Sequence, residues 1–262
     1  MPHVLGVIPA RYASTRFPGK PLAPLGDRSL IEVVWRAARR SERLDRLIIA
    51  TDDRRIADEA VRIGAESMMT SPDHPTGTDR VAEVVQSIDE IYDIAINIQG
   101  DEPLLTPTSI DHVVEVFDRT PVPDMATLAE PIDSIEELFD PNAVKLVTDS
   151  RGRALYFSRS PIPFYRGSLS ELKIDFRESL TERPAGLSGF RKHPGIYAYT
   201  RQTLLELTRL APSSLEIDED LEQLRALEAG YVIQVVDSDF CSFPVDTPAD
   251  LERAAKLVTE AD

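Results

Sequence analysis

GVIPARYASTRFPGKP, residues 6–21, decides how the rest of the chain is read. An apolar run over 4–8 closes on Pro9, and three cations, Arg11, Arg16 and Lys20, then follow within ten residues. The whole chain carries a formal charge of -16, so a basic loop in such an acidic protein points to an anion. Open α/β sheets bind ligands at the carboxyl ends of their parallel strands, where a loop can offer guanidinium forks and backbone N–H groups to a triphosphate. The plain alternative is a solvated surface loop. Other phosphate-binding patterns fail, because Pro21 follows Lys20 and breaks the G-x-x-x-x-G-K-[ST] spacing, and no G-x-G-x-x-G occurs.

Around this loop the first hundred residues alternate short apolar runs (4–8, 47–50, 94–98) with amphipathic segments, which is a βαβ rhythm. Over 30–43, Leu30, Val33, Val34, Ala37 and Ala38 recur at helical spacing and leave a basic face to solvent. Similar helices are expected over 54–63, 78–88 and 108–119, covering a mostly parallel sheet. Beyond 125 the pattern predicts a hairpin from 143–148 and 155–158, a mobile loop or lid over 165–193 and a strand over 193–200. One long charged helix over 214–229, a strand over 232–236 and a terminal helix from Pro248 complete the chain. We expect a single domain over 1–262, with a hairpin-and-lid insertion at about 125–200.

Composition narrows the function. A pI near 4.7 excludes broad binding to nucleic acid or anionic membranes. The single Cys241 allows no internal disulfide, and His3, His74, His112 and His193 lack zinc-site spacing. With no basic leader before the first apolar run and no long apolar stretch, the reading expects neither signal peptide nor membrane span, and a cytoplasmic protein.

Two further segments carry chemistry. In NIQGDEP, residues 97–103, a strand ends at Gly100 and exposes the consecutive acids Asp101 and Glu102, oxygen donors suited to a hard divalent cation or simply an acidic turn. In PVDTPADLE, residues 244–252, Asp246 follows a strand and precedes a helix, where Asp246 or Thr247 could be a cap. On one continuous helix after Ser214, Glu216, Glu219 and Gln223 would fall within about 60° of one another, beside an apolar stripe of Ile217, Leu221 and Leu224.

In the order of its motifs the chain resembles the 3-deoxy-manno-octulosonate cytidylyltransferases. The likeness spans nearly its full length through IPARYASTRFPGKPL, ATD (50–52), HPTGTDR (74–80), NIQGDEP, DPNAVKLV (140–147), ALYFSR (154–159), HPGIYAY (193–199), LEQLRALEAG (221–230) and VDTPADLE. The resemblance implies a Rossmann-like nucleotidyltransferase fold with a small inserted sugar-binding and dimerisation region. It also implies transfer of CMP from CTP to the octulosonate, Mg2+ as cofactor, and a homodimer.

Residue by residue, the resemblance implies that Arg11, Arg16 and Lys20 hold the CTP phosphates, that Asp101 and Asp246 bind magnesium, and that these five are the catalytic set. Ala10, Ser14, Gly77, Thr78, Asp79 and Arg80 complete the CTP site. Gln99, Arg159, His193, Glu219, Glu222 and Gln223 would face the sugar acid. Lys145, inside a family-like motif, has no assignment. Asp79 stands where the family usually has glutamate, Pro244 where it has glycine, and Ile217 and Asp218 also depart from its pattern. The departures leave the chemistry intact and open the choice of acid to an 8-amino analogue. An acylneuraminate enzyme and a non-catalytic CTP sensor are the rival readings.

Overall fold

The computed structural model of the 262-residue chain describes every residue except 14–15, 166–176, 178–179, 181–185, 239–240 and 262, and describes 259–261 by backbone alone. The expected lid over 165–193 lies largely outside the described residues, as does Ser14.

Three apolar runs become the strands β1 (Val4–Ala10), β4 (Arg46–Thr51) and β6 (Ile94–Asn97). The short β2 (Pro24–Leu25) and β3 (Arg28–Ser29) form a hairpin of their own, and β5 (Glu66–Met69) lies at the sheet's edge. The strands β5, β4, β1 and β6 are mutually parallel in that spatial order. Beyond β6 the sheet turns mixed. The strand β11 (Tyr197–Thr200) runs antiparallel to both β6 and β7 (Met125–Pro131), and β12 (Ile233–Asp237) then pairs parallel to β7.

Side-chain alternation shows why β1 is central. Val4, Ile8 and Ala10 pack on one face against α1 (Leu30–Ala38), α2 (Arg54–Ile63) and α4 (Pro107–Glu115). Leu5 and Val7 pack on the other against α3 (Gly77–Ser87) and α6 (Arg201–Leu207). Covering both faces of a parallel sheet demands such uninterrupted apolar strands. No helix among the described residues is long and apolar enough to cross a membrane.

The far end of β7 feeds a smaller ladder. Glu130 and Pro131 pair with β10 (Arg191–Lys192), β10 pairs with β8 (Lys145–Thr148), and β8 forms the expected hairpin with β9 (Ala154–Ser158). A short α5 (Ile135–Phe139) precedes that hairpin. The terminal helix α9 (Pro248–Ala261) docks through Ala254 on Leu25, Leu30 and Val33, with Val245 buried among them.

The long helix expected over 214–229 is two helices, α7 (Ser214–Glu219) and α8 (Gln223–Glu228). Asp220 breaks it with φ 51°, a left-handed C-terminal conformation that aspartate tolerates better than most residues. The continuous apolar stripe therefore does not exist: Leu221 and Leu224 are buried, but Ile217 is 67% exposed.

Candidate active site

The loop after β1 folds back on itself. Gly19 donates its N–H to the Tyr12 carbonyl at 2.9 Å, and its φ of 73° suits a residue without Cβ. This reversal returns Lys20 to the carboxyl edge of the sheet. There its Nζ lies 2.6 Å from Asp101 Oδ2 and 3.4 Å from Asp246 Oδ1, while Arg16 Nη1 lies 3.0 Å from Asp246 Oδ2. Two acids 145 positions apart in sequence thus meet around one ammonium. Both remain partly open to solvent, their side chains 26% and 37% exposed.

Backbone geometry frees both carboxylates for this meeting. Val245 donates to the Asp101 carbonyl at 2.9 Å, which sets Asp246 beside the turn after β6. Thr247, not Asp246, caps α9: its Oγ1 accepts from Asp250 N at 3.2 Å, and Asp250 Oδ2 accepts from Thr247 N at 2.9 Å. Glu102 departs from the expectation of two exposed acids. It is 6% exposed, its carboxyl group bonded to Ser242 Oγ and Phe243 N, and burial pushes its pKa up to about 8.

The other residues expected to frame CTP gather around the start of α3. Arg11 donates to the carbonyls of Thr76, at 3.3 Å, and His74. Ala10 is buried at the end of β1, and Gly77 packs beside Pro9, where a Cβ would make ordinary contact with the ring at 3.4 Å. Asp79 closes a capping box with Thr76, so its carboxylate is used within the helix end. Arg80 is fully buried, its Nη2 3.4 Å from Asp52 Oδ2 and its Nη1 bonded to Thr70 Oγ1, so its guanidinium does not reach the surface. Nε and Nη2 of Arg80 have no hydrogen-bond partner among the described residues.

Beside Asp101 opens a cleft of about 680 Å³ lined by Gln99, His193, Gly195, Asp140, Asn142 and Lys192, among others. Gly195 packs on Gln99, where a Cβ would stand 3.2 Å from Cγ. His193 Nε2 pairs with Thr127 Oγ1 at 2.9 Å, and the ring lies against Phe157 and Tyr197. Desolvation there pushes its pKa down to about 3, so the imidazole is neutral at ordinary pH.

Arg159, Glu219, Glu222 and Gln223 do not line this cleft. Arg159 donates to the carbonyls of Glu219, Asp220 and Pro141, the last at 2.9 Å, and so supports the 140–142 wall from behind. Lys145 does the same for the Asp140 carbonyl at 2.8 Å, and burial pushes its pKa down. Glu219 accepts from Ser158 Oγ at 2.6 Å and Arg159 N at 2.9 Å, and Glu222 accepts from Thr76 and Thr78 hydroxyls. Burial pushes Glu222 up, whereas in Glu219 these donors overcome burial and hold the pKa down. Gln223 is buried in α8. Sequence reasoning missed Glu130, Lys192 and Ser242, and only the pairing of Glu102 with Asp101 gave a local signal near them.

Residues 5–240 match the family model described as Cytidylyltransferase. The 3-deoxy-manno-octulosonate cytidylyltransferases of Trichlorobacter lovleyi and Syntrophotalea carbinolica are 47% and 48% identical to this chain, over 98% and 95% of it and 99% and 96% of their own lengths. A solved structure titled as CMP:2-keto-3-deoxy-manno-octonic acid synthetase complexed with CTP is 37% identical, superposes with TM-score 0.87, and covers 99% of this chain and 100% of its own. The 4-diphosphocytidyl-2C-methyl-D-erythritol synthase of Anaerococcus prevotii, at 12% identity and TM-score 0.63, shares the fold alone. With matches of this depth over nearly every residue, the chain belongs to the cytidylyltransferase family and, within it, to the 3-deoxy-manno-octulosonate cytidylyltransferases.

Proposed function

We propose that this cytidylyltransferase moves CMP from CTP to the anomeric C2 hydroxyl of 3-deoxy-D-manno-octulosonate, releasing pyrophosphate, with Mg2+ held by Asp101 and Asp246. The observation that carries this reading is the convergence of those two acids on Lys20, beside the cleft that holds Gln99 and His193. The relatives' names and the CTP-bound neighbour support both substrates.

The residues fit a divalent ion. Two carboxylates from separate loops already surround a positive charge, the Lys20 ammonium, and both offer hard oxygen donors. Mg2+ is commonly held by one or two carboxylates and completes its shell with waters and substrate oxygens. When bound, Mg2+ would supply polarisation of the α-phosphate and a lowered pKa for the C2 hydroxyl.

The chain's own groups then align and neutralise, which is what phosphoryl-group transfer asks of a protein. Arg16 and Lys20 would meet the negative charge that grows on the departing pyrophosphate. Arg11, Ala10 and Gly77–Thr78 frame the nucleotide, with Asp79 and Arg80 holding that framework from within. Gln99 and the neutral His193 would hydrogen-bond the sugar acid, while Arg159, Glu219, Glu222 and Gln223 keep its surroundings in place.

A pyrophosphate-release assay with CTP and Mg2+ tests the proposal against three acceptors: the octulosonate, its 8-amino analogue and N-acetylneuraminate. Release is expected with the octulosonate at the highest kcat/KM, abolished by EDTA and restored by Mg2+. Preference for another acid would reassign the acceptor, and no release with any of them would overturn the reading.

A further inference from the structure

The segment that delivers Asp246 is gripped by two buried acids, neither of them one of the metal pair. Glu102 and Glu130 are 6% and 2% exposed. Glu102 accepts from Ser242 Oγ at 2.5 Å through one oxygen and from Phe243 N at 3.0 Å through the other. From the opposite side Glu130, at the end of β7, accepts Ser242 N with both oxygens, at 2.9 and 3.1 Å. Lys192 Nζ, 3.3 Å away, holds Glu130 in place across the ladder.

Glu102 is itself rigid. Its N–H reaches the Gln99 carbonyl at 3.4 Å, and its carbonyl accepts from Leu105 N at 3.1 Å. The dipeptide Asp101–Glu102 therefore holds the 242–246 arm at two points. The Asp101 carbonyl takes Val245 N, and the Glu102 carboxylate takes Ser242 and Phe243. Burying two carboxyl groups is unfavourable unless their oxygens are filled by hydrogen-bond partners, and removing one group strands its partners. Here the side-chain oxygens of Glu102 and much of the capacity of Glu130 are filled by two consecutive residues, four and three positions short of Asp246.

We infer that Glu102, backed by Glu130, is a positioning residue for the transfer reaction: by gripping Ser242 and Phe243 it sets the place of Asp246 relative to Asp101. The inference rests on the reading of Asp101 and Asp246 as the metal pair. Groups that orient metal ligands without touching the metal are worth about 10- to 100-fold in affinity.

The test is Mn2+ binding in the presence of CTP and without acceptor, read by EPR against a CTP-only blank. Glu102→Ala should weaken Mn2+ binding by about tenfold or more, and CTP affinity measured in EDTA should stay within about twofold. Glu102→Gln should restore binding, because its amide oxygen can accept from Phe243 N–H and its amide nitrogen can donate to the Ser242 hydroxyl. Unchanged Mn2+ affinity in a folded Glu102→Ala, or a Gln variant as weak as the Ala variant, overturns the inference. Should Glu102→Ala fold poorly, Ser242→Ala decides: about a threefold weakening is expected from loss of one of the two contacts, and no change overturns the inference. Asp246→Asn in parallel separates the two readings. If it too leaves Mn2+ binding intact, the metal pair is at fault, and if it alone abolishes binding, the positioning role is.

Discussion

Two pairs of acids in this molecule are put to opposite uses. Asp101 and Asp246 are met at their side-chain oxygens chiefly by cations, Lys20 and Arg16, and both remain partly open to solvent. Glu219 and Glu222 are met chiefly by hydroxyls and backbone N–H groups of Thr76, Thr78, Ser158 and Arg159. A carboxylate balanced by a mobile cation can exchange that cation for another. A carboxylate whose lone pairs are filled by fixed donors is part of the framework, and its removal strands those donors.

The sharpest way to break this contrast is Asp101→Asn. Loss of one preorganised charge partner should lower turnover by about 10²- to 10³-fold, measured as pyrophosphate release, with the thermal midpoint little changed. A variant with near-native turnover would erase the distinction between the two pairs. Glu219→Ala should show the reverse pattern. Stranding Ser158 and Arg159 N should destabilise by about 1–3 kcal/mol, a fall of several degrees in Tm by calorimetry, while kcat changes far less than in Asp101→Asn. A large kcat loss at unchanged Tm would move Glu219 into direct contact with substrate.

The smallest effect expected concerns His193. Its folded pKa, about 3, lies below the ordinary value of 6.5, so on acidification the unfolded chain takes up the proton first. Its contribution to stability is complete above about pH 6.5 and is lost as pH falls from there toward 3, with a slope of at most about 1.4 kcal/mol per pH unit. The His193→Asn variant should therefore lose Tm less steeply than the native protein between about pH 6.5 and 5, followed by calorimetry. Parallel slopes would show that the ring is solvated and protonates freely.

Much of this architecture is legible in the chain itself, for local reasons. Strands β1, β4 and β6 appear as apolar runs because both of their faces are covered, and α1 appears through Leu30, Val34 and Ala38 on one face. The basic loop after β1 and the acid of NIQGDEP are visible because such charges follow buried strands directly. The break between α7 and α8 was not legible. Ile217, Leu221 and Leu224 keep helical spacing across it, and the interruption at Asp220 accompanies hydrogen bonds of Glu219 and Glu222 to two separate segments. The expected polar face of Glu216, Glu219 and Gln223 and the apolar stripe beside it presupposed a continuous helix, and their members separate where the helix does.

The chain alone, then, established the alternation of strand and helix, the family, and which residues could bear charge at strand ends, because periodicity and motif order depend on neighbours in sequence. It could not establish that Thr247 rather than Asp246 caps the last helix, that Glu102 is buried and holds Ser242, or that Arg159 and Lys145 buttress the cleft wall. Those outcomes were decided in three dimensions, because a hydrogen bond forms with whatever donor or acceptor packing brings within about 3 Å, however far apart the two residues lie along the chain.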